Sequence, residues 1–285
     1  MERSLYLIFK LKGMSLNRNS IVFILLGGIF AFTLNEKKIR SEADPIRKLK
    51  QTAFTKGEFL RYDVSYGYFD AAEATLEVKK TSTMINGRKT MHVVGKGKST
   101  GALSLFFKVE DRYETYIDEE GILPWKFIRH VREGGYELDR KIDFNHFSNK
   151  ATVFQNESKD YTVKPNTQDL LSAFYYARTL DLQNAKKGQE FIINTFFDRE
   201  MYPLKIKFLG KEKVKTKLGE FNCLKFRPMV EKGRVFKEEE DMTMWISNDA
   251  NKVPIRLKTD LLIGSIEMDL IEHKNLSSPL NENKK

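Results

Sequence analysis

The sequence predicts a mainly β protein, a curled antiparallel sheet or incomplete β-barrel with one covering α-helix, preceded by an N-terminal apolar signal or anchor helix. Three observations predict it. From Glu58 onward apolar and polar residues alternate with a period of two. Turn-forming residues divide those alternating stretches at short intervals. One segment, near 168–182, switches to helical spacing. The 21 Phe and 11 Tyr suit this class, because flat rings pack well on a pleated surface.

The strands come first. Leu60, Tyr62, Val64 and Tyr66 alternate with Arg61, Asp63 and Ser65. Ala72, Ala74, Leu76 and Val78 alternate with Glu73, Thr75, Glu77 and Lys79. Tyr136, Leu138, Ile142 and Phe144 share a face that Arg140 interrupts. Leu204, Ile206 and Phe208 repeat the pattern, as do Met242, Met244 and Ile246. Successive side chains of a strand point to opposite faces, so these are half-buried strands with one wet face. That argues for antiparallel pairing, because the strands of an all-parallel sheet are covered on both faces.

Turn chemistry sets the divisions. Asn86-Gly87 is a two-residue hairpin signal, since both residues tolerate positive φ. Glu120-Gly121, Gly134-Gly135 and Leu218-Gly219-Glu220 are further breaks. Three segments, Tyr116–Lys126, Phe197–Lys205 and Trp245–Arg256, each run from an aromatic through an acidic or polar turn to Pro, an apolar residue and a base. They are expected to be one hairpin type used three times, with proline marking a strand start or an edge.

The helix lies at Asp169–Leu180, where Leu170, Leu171, Phe174, Ala177 and Leu180 form one stripe. Thr167 is the expected N-cap, with Asp169 in the first turn where the dipole favours an acid. The helix is expected to plug or cover the sheet.

Residues Ile21 to Leu34 are fourteen residues without a charge, preceded by Arg18 and followed by Glu36-Lys37-Lys38. A basic flank and a short apolar run make a secretory leader, and fourteen residues fall short of the about 20 of a membrane span. Met14 is an alternative start with a conventional short basic region. Ala31-Phe32-Thr33 resembles a cleavage site only loosely, so an uncleaved anchor formed by residues 21–34 stays open beside a cleaved signal. The expected organisation is residues 1–34 as signal peptide or anchor, 35–56 as a polar lead-in, 57–272 as the β domain and 273–285 as a polar tail. Export to the periplasm follows, with membrane contact through the N-terminal segment.

The net charge of +10 is concentrated rather than spread. Residues 1–50 carry 10 Lys/Arg and 4 Asp/Glu, and the remaining 235 carry 39 and 35. The folded part is thus nearly balanced, which argues against nucleic acid as a partner. Cys223 is the only cysteine, so no intramolecular disulfide or zinc cluster forms, and its strand-like setting makes it a core residue.

The search for chemistry yields no catalytic residue, no metal site and no cofactor. His92, His130, His146 and His273 form no metal-type doublet. The glycines between Gly95 and Gly101 lack the spacing of a phosphate loop. Glu110 and Asp111, being adjacent in a strand, point apart and cannot converge on one bond. Asp111 shares a face with Val109 and Tyr113 and is expected to be an inward acid, paired near Arg112 or with Arg129. The run Lys237–Asp241 reads as a wet loop.

Several stretches together resemble the bacterial domain-of-unknown-function 3108 family. They are Gly57–Gly67, the block Val109–Tyr113 with Asp118–Pro124 behind it, the helix Asp169–Arg178 and the hairpin from Trp245-Ile246-Ser247 to Pro254. The resemblance covers most of residues 54–272 and implies an exported bacterial protein with no established activity. The strand, acidic turn and proline pattern with a single helix also looks like the outer-membrane lipoprotein carrier (Lol-type) architecture. There an incomplete antiparallel barrel holds acyl chains in an apolar cavity, a likeness of fold alone.

The leading functional reading is therefore an exported, non-enzymatic envelope protein that binds a lipid or other apolar ligand. Its candidate ligand-binding residues are Tyr62, Val64, Leu138, Leu170, Leu171 and Phe174, and its expected partners are a lipid, an acyl chain or an envelope protein. The alternative is a structural or interaction module of the envelope with a filled core, and a hydrolase with a dispersed site comes last.

Overall fold

The computed structural model describes residues 46–101, 103–229, 242–260 and 264–283. The expectations for residues 1–34 and for the run Lys237–Asp241 lie outside the described residues. In chain order the first half is β1 (Phe59–Tyr66), β2 (Phe69–Ile85), β3 (Arg88–Ser99), a one-turn helix α1 (Leu103–Phe106), β4 (Glu110–Asp118), β5 (Pro124–Glu133), β6 (Tyr136–Asn145), β7 (Lys150–Phe154) and β8 (Ser158–Thr162). The main helix α2 (Leu170–Ala177) follows. The second half is β9 (Glu190–Phe197), β10 (Glu200–Lys215), β11 (Glu220–Pro228), β12 (Met242–Ser247), β13 (Pro254–Asp260), β14 (Ser265–Lys274) and the short β15 (Glu282–Asn283).

These strands form one antiparallel sheet in the order β8-β7-β6-β5-β4-β3-β2-β1-β14-β13-β12-β11-β10-β9, with β15 added to β11. Every pairing in this order joins strands adjacent in sequence except one, β1 with β14, where Leu60 faces His273 and Tyr66 faces Ile266. The period of two is the reason. In β1, Leu60, Tyr62 and Val64 are buried while Arg61, Asp63 and Ser65 are half-exposed. A one-residue slip would turn that whole apolar set to water, so the register is strongly specified.

The sheet curls until its two edge strands approach without pairing. Gln168 lies beside β9: its N–H donates to Asn194 O and its carbonyl accepts from Phe196 N–H, both at 2.8 Å. The turn between β9 and β10 reaches back to the first half, where Asp198 accepts from both Arg129 and Arg140. Arg140, the charge that interrupts the apolar face of β6, thus serves to tie the two halves together. The lower end of the curl is closed by chain from both termini. Arg47 donates to the carbonyls of Gly121 (2.8 Å) and Ile122 (3.1 Å), Ala53 and Phe54 are buried, and Asn251 exchanges hydrogen bonds with Ser278 at 2.9 Å.

The two-residue turns follow their chemistry. Asn86 and Gly87 adopt φ of 50° and 74°, the left-handed pair that Asn-Gly favours. Gly134 at φ 52° is required twice over, since a Cβ there would lie 2.3 Å from the Phe107 ring. The three similar hairpins are not one type. The connections β4–β5 and β12–β13 match: Asp118 and Asp249 accept from following backbone amides, Ile122 and Lys252 both take φ 49°, and Pro124 and Pro254 open the next strands. The third, β9–β10, is a tight turn at Asp198 and Arg199 with φ of 47° and 73°. Pro203 sits inside β10 opposite Asn194, before the β10–β11 pairing begins at Ile206, so it removes no donor from that ladder.

Helix α2 is shorter than the apolar stripe suggested, and its cap differs. Asp169, not Thr167, is the N-cap: its ψ of −178° is extended, and its carboxylate accepts from Ser172 N–H. Asp169 N–H donates in turn to Ser172 Oγ at 2.8 Å, completing a reciprocal capping box. Thr167 instead donates its hydroxyl to Lys164 O at 2.6 Å. The helix ends because Thr179 folds back, its N–H and its hydroxyl both donating to Tyr176 O.

Candidate functional site

Helix α2 stands inside the curl with two unequal sides. Toward the first half Leu170 and Leu171 join a closed core with Tyr113, Phe127, Leu138 and Phe196. Each such fully buried side chain contributes about 1.5–3 kcal/mol through burial. Toward the second half the fit is incomplete. Leu170, Ala173, Phe174 and Ala177 face Ile193, Leu204, Ile206, Met244, Ile246 and Leu257 across a cleft. The cleft is open to solvent, and the space between these walls comes to about 650 Å³ only when that open solvent is counted. Pro228 and Pro254 complete the apolar lining, and among the described residues its charged members are Arg178 and Lys252.

Those two cations differ in kind. Arg178 is 2% exposed and Glu58 is 0% exposed, and they form a two-pronged pair at 2.6 and 2.8 Å. Arg178 also donates to Ala53 O at 2.8 Å and Asn251 O at 2.9 Å. The rings of Phe54, Tyr175 and Phe174 lie 5.3–5.7 Å from its guanidinium carbon. Burial opposes its charge, and Glu58 more than offsets this, so its pKa lies above the ordinary value. Arg178 thus ties the end of α2 to the lead-in, the start of β1 and the β12–β13 turn. Lys252 is half-buried and donates from Nζ to Arg178 O at 3.0 Å. Among the described residues no carboxylate lies within ion-pair distance of it. Burial lowers its pKa, the more distant Asp181 and Asp249 raise it, and Arg178 lowers it.

The sequence-derived candidates divide between the cleft and the core. Leu170 and Phe174 line the cleft. Leu171 and Leu138 belong to the closed core on the other side of α2. Tyr62 packs with Leu60, Phe221, Ile255 and Leu270, with Phe174 against that group, and Val64 is buried at 8% exposure near the upper end of β1. The residues that sequence reasoning missed are Ala173, Ala177, Ile193, Leu257 and Lys252. Leu204, Ile206, Met244 and Ile246 carried a strand signal, but nothing in a period of two says which strands face a gap.

A second group of buried polar residues lies in the first half. Asp111 is inward, as expected, yet its partner is not Arg129, which instead pairs with Asp198. Asp111 accepts from Arg132 N–H at 3.0 Å and lies beside the carboxyl of Glu133, which is also buried. Burial pushes Asp111 up to about 7, against the Arg132 amide and with the help of Glu133. A carboxyl raised in this way is protonated in both states below about pH 4 and ionised in both above about pH 7. In between only the native state holds the proton, so the contribution of Asp111 falls as pH rises across that window. Comparing urea midpoints of the wild type and Asp111→Asn at pH 4.5, 6 and 7.5 is expected to show the wild type losing stability relative to the variant as the pH rises. A difference that stays constant with pH would overturn the assignment.

Three of the histidines make side-chain contacts. His92 contacts Glu114 at 2.6 Å and stacks on Tyr116, His130 contacts Asp139, and buried His146 donates to Pro124 O. Among the described residues no three His, Cys, Asp or Glu side chains are grouped as a metal site. Cys223 is buried, and burial pushes its thiol up to about 12.

Known proteins agree at the level of fold. A β-barrel-like protein of the domain of unknown function DUF1849 from Brucella abortus superposes with a TM-score of 0.50 at 8% identity, covering 81% of this chain and 99% of its own. A protein from Bacteroides fragilis, described as a candidate exported protein with a YmcC-like fold, gives a TM-score of 0.30 at 11% identity, covering 81% of this chain and all of its own. One from Parabacteroides distasonis, described as a candidate lipoprotein, gives 0.28 at 12% identity, with the same coverage. No curated protein matches the chain. The family description does match, over residues 61–271, and the chain accordingly belongs to the family of proteins of unknown function DUF3108.

Proposed function

We propose that this chain is an exported envelope protein that binds an apolar or amphipathic ligand, without catalysis, in the cleft between α2 and β9–β13. The cleft carries the reading: apart from Arg178, which is paired with Glu58, and Lys252, its described walls are apolar. Such a lining offers dispersion and the hydrophobic effect to a hydrocarbon chain but few hydrogen bonds to a polar substrate. The leader-like segment at residues 21–34 supports export. Purified from the exported fraction and extracted with organic solvent, the protein is expected to release close to one lipid per chain. A lipid-free protein that also fails to take up added fluorescent fatty acid would defeat the proposal.

One observation favours the second reading, an interaction module of the envelope. Tyr68 in the β1–β2 turn, Phe69 at the start of β2 and Leu105 and Phe106 in α1 are all exposed, and the β3–α1 connection meets the start of β2 where Thr100 N–H donates to Ala71 O. Four large apolar side chains at one end of a sheet mark a contact surface. Under that reading the protein is ligand-free, and loss of the exposed rings, not of the cleft, abolishes its association.

A further inference from the structure

We infer that the cleft selects a single-chain amphiphile with one negative charge, of the fatty-acid carboxylate class, whose head group meets Lys252 Nζ. The inference rests on the ligand-binding reading above and adds the chemistry of the head. The observations are geometric. Lys252 is one of two charged residues in a lining otherwise built from Leu, Ile, Ala, Phe, Met and Pro. The other, Arg178, is already neutralised by the two-pronged contact with Glu58. Among the described residues Lys252 Nζ has the carbonyl of Arg178 as its one partner, at 3.0 Å, which leaves two of the three ammonium N–H groups without a described acceptor. A half-buried, unneutralised ammonium beside apolar walls favours an anion at that point, because the low local dielectric strengthens the attraction.

The same features narrow the class. One lysine matches one unit of charge, whereas a phosphate monoester brings about −1.5 to −2. Two-pronged recognition of phosphate suits arginine, and Arg178, the arginine among the described lining residues, is sequestered. Asp181 and Asp249 lie near enough to influence Lys252; they oppose any anion there, and a doubly charged one about twice as strongly as a monoanion. The β12–β13 register places the pair Ile246 and Pro254, then the pair Met244 and Leu257, in succession, so the apolar walls extend from beside Lys252 along the strand direction.

The test compares two probes that differ only in the head. Delipidated full-length protein is titrated with oleate and with oleyl alcohol below their aggregation concentrations, and binding is read by native mass spectrometry and by tryptophan fluorescence. The wild type is expected to bind oleate about tenfold more tightly. Lys252→Met is expected to bind both equally, with its affinity for oleyl alcohol within about twofold of the wild type, and Lys252→Arg to keep the preference. Equal binding of both probes by the wild type, or a preference that survives in Lys252→Met, overturns the head-group assignment while leaving the cleft as a binding site. Binding of neither probe by a wild type with native circular dichroism overturns both.

Discussion

Arg178→Ala is expected to lower the stability of the domain by about 3–5 kcal/mol, the typical loss when one partner of a buried pair is removed. The reason is what remains behind. Glu58 is fully buried, and without Arg178 it holds an uncompensated charge or takes up a proton. The carbonyls of Ala53 and Asn251 lose their donors in the same step. Glu58→Gln leaves the guanidinium short of its counter-charge and is expected to cost a similar amount. Replacing both together, Glu58→Leu with Arg178→Met, is expected to recover much of the loss, because apolar side chains of similar volume need no partner. Urea denaturation of the four proteins measures this cycle. Single variants within about 1 kcal/mol of the wild type would show that the pair is not the fastening described above.

The second large effect separates the two sides of α2. Leu171 is 1% exposed within the closed core, and a carboxylate in its place costs several kcal/mol unless it is neutralised. Leu171→Asp is therefore expected to unfold the domain, with loss of its β circular dichroism signal at neutral pH. Phe174 is only half-buried and borders the cleft, where a new carboxylate keeps access to water. Phe174→Asp is expected to retain the sheet, to lose about 1–3 kcal/mol, and to release any bound hydrocarbon chain. If Phe174→Asp also unfolds, or if it stays folded and keeps its ligand, the cleft is not the binding surface.

Much of the fold was legible because its cause is local. Alternation in Leu60–Tyr66, the Asn86-Gly87 turn and the apolar stripe of Leu170–Ala177 each reflect a conformational preference acting within a few residues. The N-cap was missed for a related reason. Thr167 and Asp169 are both capping types, and the choice depends on Ser172 completing the box with Asp169 and on Thr115, distant in sequence, donating to the same carboxylate at 2.5 Å. The site was legible only on its helical side. Leu170 and Phe174 stand out as apolar residues of a lone helix, but an unfilled gap is a property of packing between strands far apart in the chain. Lys252 lies in a turn where a lysine is unremarked in sequence, and its role arises only from the carbonyl and apolar walls around it. Asp111 was placed inward by its period, while its neighbour Glu133 and the capture of Arg129 by Asp198 depend on pairings that no spacing reveals.

The pairing of β1 with β14 has a consequence in time. Arg61 spans this seam: it contacts Glu73 of β2, twelve residues away in the chain, and Glu272 of β14, 211 residues away. Closing the longer loop costs about 2.5 kcal/mol more in chain entropy than closing the shorter one, before any contact of β14 is gained. A chain made from its N-terminus completes the β1–β2 hairpin early and then carries the other border of β1 unpaired until nearly the last strand exists. Through that interval the row of free N–H and C=O groups along β1 is open to pairing with any other extended segment. Arg61, Asp63 and Ser65, which keep one face of that border polar and charged, therefore guard a strand that in the finished molecule has no border at all.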